Sequence, residues 1–86
     1  MIITSNADAK AILPLRIFPN PVNDQFYIDG IQNEYTYSIV DFTGKTADRN
    51  VTSEKYISVA SLTEGVYVIR IEQKGNLYQA RFAVMK

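Results

Sequence analysis

Among the side chains of this chain that could act in hydrolysis or bind a metal ion, the carboxylates are the main candidates. Histidine and cysteine are absent, which removes the commonest general base, the thiolate nucleophile and the main nitrogen and sulfur metal ligands. A pair of carboxylates can hydrolyse a glycoside, but one small domain leaves little room for a substrate cleft. The sequence therefore predicts a domain that is not an enzyme and that uses no cofactor or metal ion. Its candidate carboxylates lie at predicted turns or on solvent-facing strand positions: Asp24, Asp29, Asp41, Glu64 and Glu72.

A proline-rich stretch, Pro19, Asn20 and Pro21, is the first of three punctuated stretches. Each proline fixes φ and removes an amide donor, so the stretch does not fit inside a central strand. Each also pushes the preceding residue towards extended conformations. We expect a rigid corner at which an edge strand crosses between sheets.

The second stretch is a turn that begins at Asp41 and closes at Gly44. An aspartate in the first position can accept the amide of Thr43, and glycine suits the last position. No second carboxylate has a spacing that would make Asp41 a metal ligand. The sequence predicts a structural turn.

The third stretch places Gly65 two residues before Tyr67, at the start of a strand-like run. Alternation turns the Tyr67 side chain inward, and a buried tyrosine needs a partner for its hydroxyl. We expect that hydroxyl to hold a neighbouring loop, as the tyrosine corner does in Greek-key sandwiches.

The elements that would position these stretches read as strands. Apolar residues alternate with polar ones in several short runs, and tyrosine and β-branched residues are frequent. The pattern predicts an all-β, immunoglobulin-like β-sandwich of about seven short antiparallel strands. One tight helical turn is possible at residues 61–64. The residues predicted to face inward include Phe26, Ile28, Tyr35, Tyr37, Ile39, Tyr67, Ile69, Ile71, Tyr78, Ala80, Phe82 and Val84.

The last two strands form a predicted hairpin with two possible registers. A turn at Gly75 and Asn76 would set Arg70 opposite Arg81, and facing like charges are destabilising. A turn one residue earlier, at Lys74 and Gly75, pairs Arg70 with Gln79. We favour the second register; both keep the same side chains on the inner face.

Length and charge define the rest of the organisation. The 86 residues suit one small domain, and nine basic residues balance nine acidic ones. The basic residues are scattered along the sequence, so it predicts no nucleic-acid or anionic-membrane surface. No apolar run is long enough to span a bilayer. We interpret residues 1–14 as a linker or an artificial start of the chain, and residues 15–86 as the domain.

At these stretches the chain resembles the C-terminal sorting domain of the type IX secretion system of Bacteroidetes. The resemblance covers residues 15–86. It rests on the order of the three stretches, on the segment from Leu62 to Tyr67, and on a last alternating strand from Tyr78 to Lys86. Its motif residues are Pro19, Asn20, Pro21, Asp41, Gly44, Leu62, Gly65 and Tyr67.

The resemblance implies a delivery signal. Such a domain follows a cargo protein, passes through the periplasm, and is recognised by an outer-membrane translocon. A sortase-like peptidase commonly removes it at the cell surface, where cargo is displayed or released. The cut would fall within or before residues 1–14. We expect the last strand or a neighbouring edge strand to offer its backbone to the machinery, and translocon recognition to involve Arg81, Val84, Met85 and Lys86.

The alternative is a carbohydrate-binding or adhesive module of a surface protein. Such modules expose a row of aromatic side chains on one sheet face. Alternation leaves Tyr27 as the clearest outward candidate, and one tyrosine is too little for a platform. A structural spacer domain is a third possibility.

Overall fold

The computed structural model describes residues 12–86. Eight strands follow one another, and no helix occurs in this part of the chain. The strands are β1 (Ile12–Pro14), β2 (Arg16–Phe18), β3 (Gln25–Asp29), β4 (Tyr35–Asp41), β5 (Thr46–Thr52), β6 (Tyr56–Ser58), β7 (Gly65–Gln73) and β8 (Asn76–Val84).

These strands form two sheets. The larger sheet has the order β1-β8-β7-β4-β5, and the smaller one has the order β2-β3-β6. The predicted all-β sandwich is confirmed, since one face of each sheet supplies the core between them. Burial alternates along β4 and β7, as a sheet with one buried face requires.

The core is apolar and draws on both sheets. Phe26 from the small sheet and Phe82 from the large sheet are both fully buried, with ring centroids 4.9 Å apart. Ile39, Ile69 and Ile71 are also inaccessible to solvent. No buried polar side chain among the described residues lacks a hydrogen-bond partner.

The β7–β8 hairpin adopts the register with its turn at Lys74 and Gly75. Gln73 faces Asn76, and Arg70 faces Gln79, whose side-chain oxygen accepts a hydrogen bond from the Arg70 Nε at 3.2 Å. Lys74 and Gly75 have φ angles of 51° and 80°, the left-handed pair that a type I′ hairpin turn requires. The favoured register is confirmed.

Strand β1 extends the sheet into the segment that we interpreted as a linker. Ile12, Leu13 and Pro14 pair in parallel with residues 77–79 of β8, so these three residues belong to the large sheet. A parallel pair was not expected in an otherwise antiparallel fold. The remainder of the predicted linker, residues 1–11, lies outside the described part of the chain.

The predicted helical turn at residues 61–64 is absent. A single hydrogen-bonded turn takes its place, in which the Leu62 amide donates to the carbonyl of Val59 at 2.9 Å. Leu62 packs against the core, so burial of its side chain helps to hold this loop.

Candidate recognition surface

The three punctuated stretches meet at one end of the sandwich. Asp41 pairs with Tyr67 at the end of β4, and Tyr67 pairs with Phe82 across β7 and β8. The side chain of Asn20 reaches the same end of β8 from the loop after β2. Residues far apart in sequence thus share one small region, because antiparallel pairing aligns the end of β4 with the start of β7 and the end of β8.

The proline stretch joins the small sheet to the edge of β8. Asn20 donates from Nδ2 to the carbonyl of Arg81 at 3.0 Å, and its Oδ1 accepts the amide of Ala83 at 3.1 Å. Val22 continues this contact, since its amide donates to the Ala83 carbonyl and its carbonyl accepts the Met85 amide, both at 2.8 Å. The peptide bonds that precede both prolines are cis. The stretch is a corner between sheets, as predicted, and it also covers the last strand.

The turn at residues 41–44 is organised by one carboxylate oxygen. Asp41 Oδ1 accepts the Thr43 hydroxyl at 2.6 Å, the Thr43 amide at 2.9 Å and the Lys45 amide at 3.0 Å. These bonds favour the ionised carboxylate, so the Thr43 hydroxyl above all holds the pKa of Asp41 below its usual value. Gly44 has a φ of 89°, a left-handed conformation that glycine adopts without strain. The carboxylate acts as a turn organiser.

Tyr67 fixes the loop that precedes its own strand. Its ring is buried beside Phe82, with centroids 5.7 Å apart. Its hydroxyl donates to the carbonyl of Thr63 at 2.8 Å. The phenol therefore has the structural partner that we expected, and the loop from Leu62 to Gly65 is held against the core.

An exposed surface covers the junction of these stretches. Phe42 is 86% exposed and Val66 is 45% exposed, and both line a shallow depression of about 300 Å³ together with Arg81. A second depression of about 210 Å³ continues it between Asn20, Val66 and Arg81. We call Asn20, Phe42, Val66 and Arg81 the motif surface. It combines an aromatic ring, aliphatic area and one guanidinium, the side-chain types that often dominate protein contacts.

Two further arginines lie on the same outer face of the large sheet. Arg49 on β5 and Arg70 on β7 both face Ser38 on β4, and they line a depression of about 280 Å³ with Glu72. Arginines that are scattered in the sequence are thus gathered by strand pairing, a grouping that the linear charge pattern did not reveal. Guanidinium groups favour carboxylate partners because they can bind them in a bidentate way.

The four residues predicted for translocon recognition have different environments. Arg81 is exposed on the motif surface, and Met85 is 60% exposed. Lys86 is fastened to the loop before β7, since its Nζ donates to the Ala60 carbonyl at 2.7 Å and its amide to Glu64 Oε2 at 2.9 Å. Val84 is only 1% exposed and contributes to the core. A partner can therefore reach the side chains of Arg81, Met85 and Lys86, whereas that of Val84 is inaccessible in the folded domain.

Of the two strands expected to offer a backbone edge, the last strand is not free, because β8 is an interior strand of the large sheet and the edge beside it is β1. Strand β8 pairs with β7 on one side. Its other side is covered by β1 and by residues 15, 20 and 22, whose hydrogen bonds reach from Gln79 to Met85. The covering segments come from the N-terminal part of the domain, so the periodicity of β8 gave no sign of them.

Strand β5 forms the opposite edge of the large sheet. Two of its amides are engaged by the preceding side chains: Arg49 donates to Asp48 Oδ1 and Val51 donates to Asn50 Oδ1, both at 2.8 Å. These local bonds compete with the pairing of a further strand. The other edge of the large sheet is β1, which pairs with β8 on one side, so an edge strand next to β8 as the contact for the machinery stays a prediction.

The outer face of the small sheet carries three exposed aromatic side chains. Phe18, Tyr27 and Tyr56 lie on neighbouring strands and face one another in register. The sequence indicated Tyr27 alone. Phe18 was hidden by its place before Pro19 and Tyr56 by its place in a short apolar run, so only the pairing of β2, β3 and β6 shows the row.

Residues 12–86 contain neither a candidate metal cluster nor a candidate membrane-spanning helix. No group of three or more acidic residues in this range is placed to hold a metal ion. No helix in the described part of the chain is long and apolar enough to cross a membrane.

The fold and the motif surface define a small β-sandwich whose exposed groups are suited to being recognised by another protein. The chain matches the family described as "Secretion system C-terminal sorting domain" over residues 16–85. It therefore belongs to this family of type IX secretion sorting domains, which implies export to the cell surface or the extracellular space. The resemblance seen in the sequence is confirmed.

A solved structure supports the fold. The chain is similar to PorZ of Porphyromonas gingivalis, a bacterial surface component of the type-IX secretion system, with a TM-score of 0.67 at 21% sequence identity. The similarity covers 84% of this chain and 11% of the PorZ chain, so the chain spans about a tenth of that protein's length. The comparison with curated proteins gave no match.

Proposed function

We propose that this domain is a folded, non-enzymatic sorting signal that the type IX machinery recognises through the motif surface. The observation that carries the proposal is the convergence of the three family stretches around an exposed patch, in a chain that matches the family over residues 16–85. A signal of this kind needs a surface that is exposed in the folded domain, and Phe42, Val66 and Arg81 provide one.

The charges suggest what a receptor would present. Arg49, Arg70 and Arg81 are exposed on the outer side of the large sheet, where Glu72 contributes an opposite charge. An excess of guanidinium groups favours an acidic partner surface. Phe42 and Val66 would supply the apolar contact at its centre.

The delivery route also belongs to this proposal. The domain would follow an N-terminal cargo, cross the periplasm, and engage a shuttle and an outer-membrane translocon. A sortase-like peptidase would then separate it from the cargo, which is displayed or released. Because Ile12–Pro14 are paired in the sheet, we expect the cut to fall before Ile12, so that β1 stays intact.

The test is a fusion of the 86-residue chain behind a reporter protein in a host with a type IX pathway. In the Arg81→Glu and Phe42→Ser variants, reporter delivered to the surface should fall at least about tenfold, the effect of losing about 1.4 kcal/mol of binding. Both side chains are exposed, so the thermal midpoint of the purified domain should change little. Retained reporter should accumulate in the periplasm.

Matched controls separate recognition from folding. Arg16→Glu reverses a charge on the small sheet, and Tyr27→Leu removes an exposed ring there; both should be delivered normally. Met85→Ser and Lys86→Glu test the terminal residues without removing the core side chain of Val84. Normal delivery of a folded Arg81→Glu, Phe42→Ser double variant would contradict the motif-surface proposal.

A further inference from the structure

The aromatic strip, which we define as Phe18, Tyr27 and Tyr56, is a feature that the sorting role does not explain. These side chains are 52%, 43% and 43% exposed. Ring centroids are 5.9 Å apart for Phe18 and Tyr27 and 6.2 Å apart for Tyr27 and Tyr56. The rings thus follow one another in nearly equal steps across the three strands of the small sheet.

Contacts within the strip account for part of its presence. Aromatic cross-strand pairs stabilise short strands, and β2 and β6 have only three residues each. Yet about half of each side chain remains open to solvent, although the domain has a separate and complete core. The planes of Phe18 and Tyr27 differ by 18°, whereas those of Tyr27 and Tyr56 differ by 53°, so two rings are nearly parallel and the strip twists at Tyr56.

A depression of about 320 Å³ borders the strip. It is lined by Phe18 and Tyr27 and by three polar residues, Asp29, Gln32 and Lys55. Ring faces that adjoin a few hydrogen-bonding groups are typical of small-ligand sites. A sugar ring offers the matching chemistry, with C–H groups on its faces and hydroxyl groups around its rim.

The charges on the lining indicate which sugar polymer would fit. Asp29 and Lys55 are one acidic and one basic residue in the same depression, and Arg16 faces Asp29 across β2 and β3, so the site has no cluster of basic groups. An anionic polysaccharide or a nucleic acid would require a basic excess. A neutral glycan does not, and carboxylate, amide and ammonium groups all hydrogen-bond to hydroxyls.

We propose that Phe18, Tyr27 and Tyr56 form a stacking platform for a neutral, extended oligosaccharide, with Asp29, Gln32 and Lys55 binding hydroxyls at one end. Successive sugar rings lie along the strip across the strands. This binding activity is separate from the motif surface, so either can be lost without the other.

The experiment is an NMR titration of the ¹⁵N-labelled 86-residue chain with cellohexaose, laminarihexaose and mannohexaose in turn. At least one of them should shift amide resonances of β2, β3 and β6 and of Lys55, and leave those of Phe42 and Val66 unchanged. Tyr27→Leu keeps apolar bulk but removes the ring, and it should raise the dissociation constant about tenfold, which is about 1.4 kcal/mol.

The controls keep the outcome decisive. Phe42→Ala removes an exposed ring outside the strip and should bind as the unmodified chain does. Tyr56→Ala is a second variant for the same binding measurement. It lies at the edge of the small sheet, where folding depends less on the side chain. The proposal is overturned if none of the three hexasaccharides shifts the strip, or if the shifts persist in Tyr27→Leu. It is also overturned if Tyr27→Leu abolishes surface delivery without any glycan binding, since the strip would then be a protein contact.

Discussion

The two outer strands of the antiparallel part of the large sheet, β8 and β5, are protected in different ways. Strand β8 is covered by backbone and side-chain groups from the N-terminal part of the domain, among them Asn20 and Val22. Strand β5 engages its own amides through Asp48 and Asn50. The protection of β8 therefore depends on contacts between distant parts of the chain. The protection of β5 depends on hydrogen bonds between adjacent residues.

This difference affects how a receptor would recognise the domain. Covering β8 requires the loop that contains Pro19, Asn20 and Pro21 to lie against it, so the same contacts that close the edge also build the motif surface. Disturbing β8 should damage both stability and delivery. Disturbing β5 should affect association between molecules and leave the fold intact.

Truncation of Phe82, near the end of β8, should have the largest effect. Its ring contacts Phe26 and Tyr67 in the core, and Phe82→Ala should destabilise the domain by about 3–5 kcal/mol. A domain of this size has little stability to spare. Urea unfolding followed by circular dichroism measures the change. A loss below about 1 kcal/mol would mean that the two sheets do not depend on this contact.

Opening the cover of β8 should have the next largest effect. Asn20→Ala removes two hydrogen bonds to the backbone of β8 and should cost about 1–2 kcal/mol. Asn20→Asp keeps the acceptor for the Ala83 amide and loses the donor. Its free energy of unfolding should lie between those of Asn20→Ala and the unmodified chain. Hydrogen exchange at the Ala83 amide should become faster in Asn20→Ala. Unchanged exchange there would show that the cover does not depend on this side chain.

Unblocking β5 should change self-association more than stability. Asn50→Val removes the oxygen that accepts the Val51 amide and raises β-propensity, so the edge becomes available for pairing between molecules. Stability should stay within about 0.5 kcal/mol, while sedimentation velocity should show concentration-dependent dimers. Thr36→Val makes a comparable change on the interior strand β4 and should not dimerise. If both variants dimerise, the association is caused by the added apolar area and not by the unblocked edge of β5.

The smallest effect at neutral pH concerns Tyr37, between β4 and β5. Burial, with Asp48 as the next cause, raises the pKa of Tyr37 to about 12 from 10.0. Folding therefore favours the neutral phenol. The stability that this contributes is complete below pH 10 and is lost as the pH rises from about 10 to about 12. Chemical unfolding of the unmodified chain and of Tyr37→Phe across this range should show a steeper decline in the unmodified chain. Parallel declines would assign alkaline unfolding to other groups.

Recognition of β3, β4, β7 and β8 was possible from sequence because each buries one face and exposes the other. That alternation appears directly in Phe26 and Ile28 and in Tyr67, Ile69 and Ile71. The turn at Asp41 and the hairpin turn at Lys74 could also be predicted from the sequence. Local hydrogen bonding determines the first turn and like-charge repulsion the second, and both act between residues that are close in the chain.

Other elements left no such pattern. Strand β5 is mostly polar and buries neither face, so it shows little apolar periodicity. Strand β1 is three residues long and is defined by its pairing with β8. The sequence does not show whether the side chains of Phe18 and Tyr56 face the core or the solvent. Their outward position follows only from the placement of β2 and β6 on either side of β3.

The sequence by itself determined the class of fold, the parity of the main strands, the local turns and the resemblance to a sorting domain. These depend on interactions between residues that are near in the chain or on the order of motifs along it. Only the tertiary structure decided that β8 is covered, that the motif stretches converge on Arg81, and that three aromatic rings form one strip. Each of those facts depends on which strands become neighbours, and the free energy that selects neighbours comes from burying a shared core.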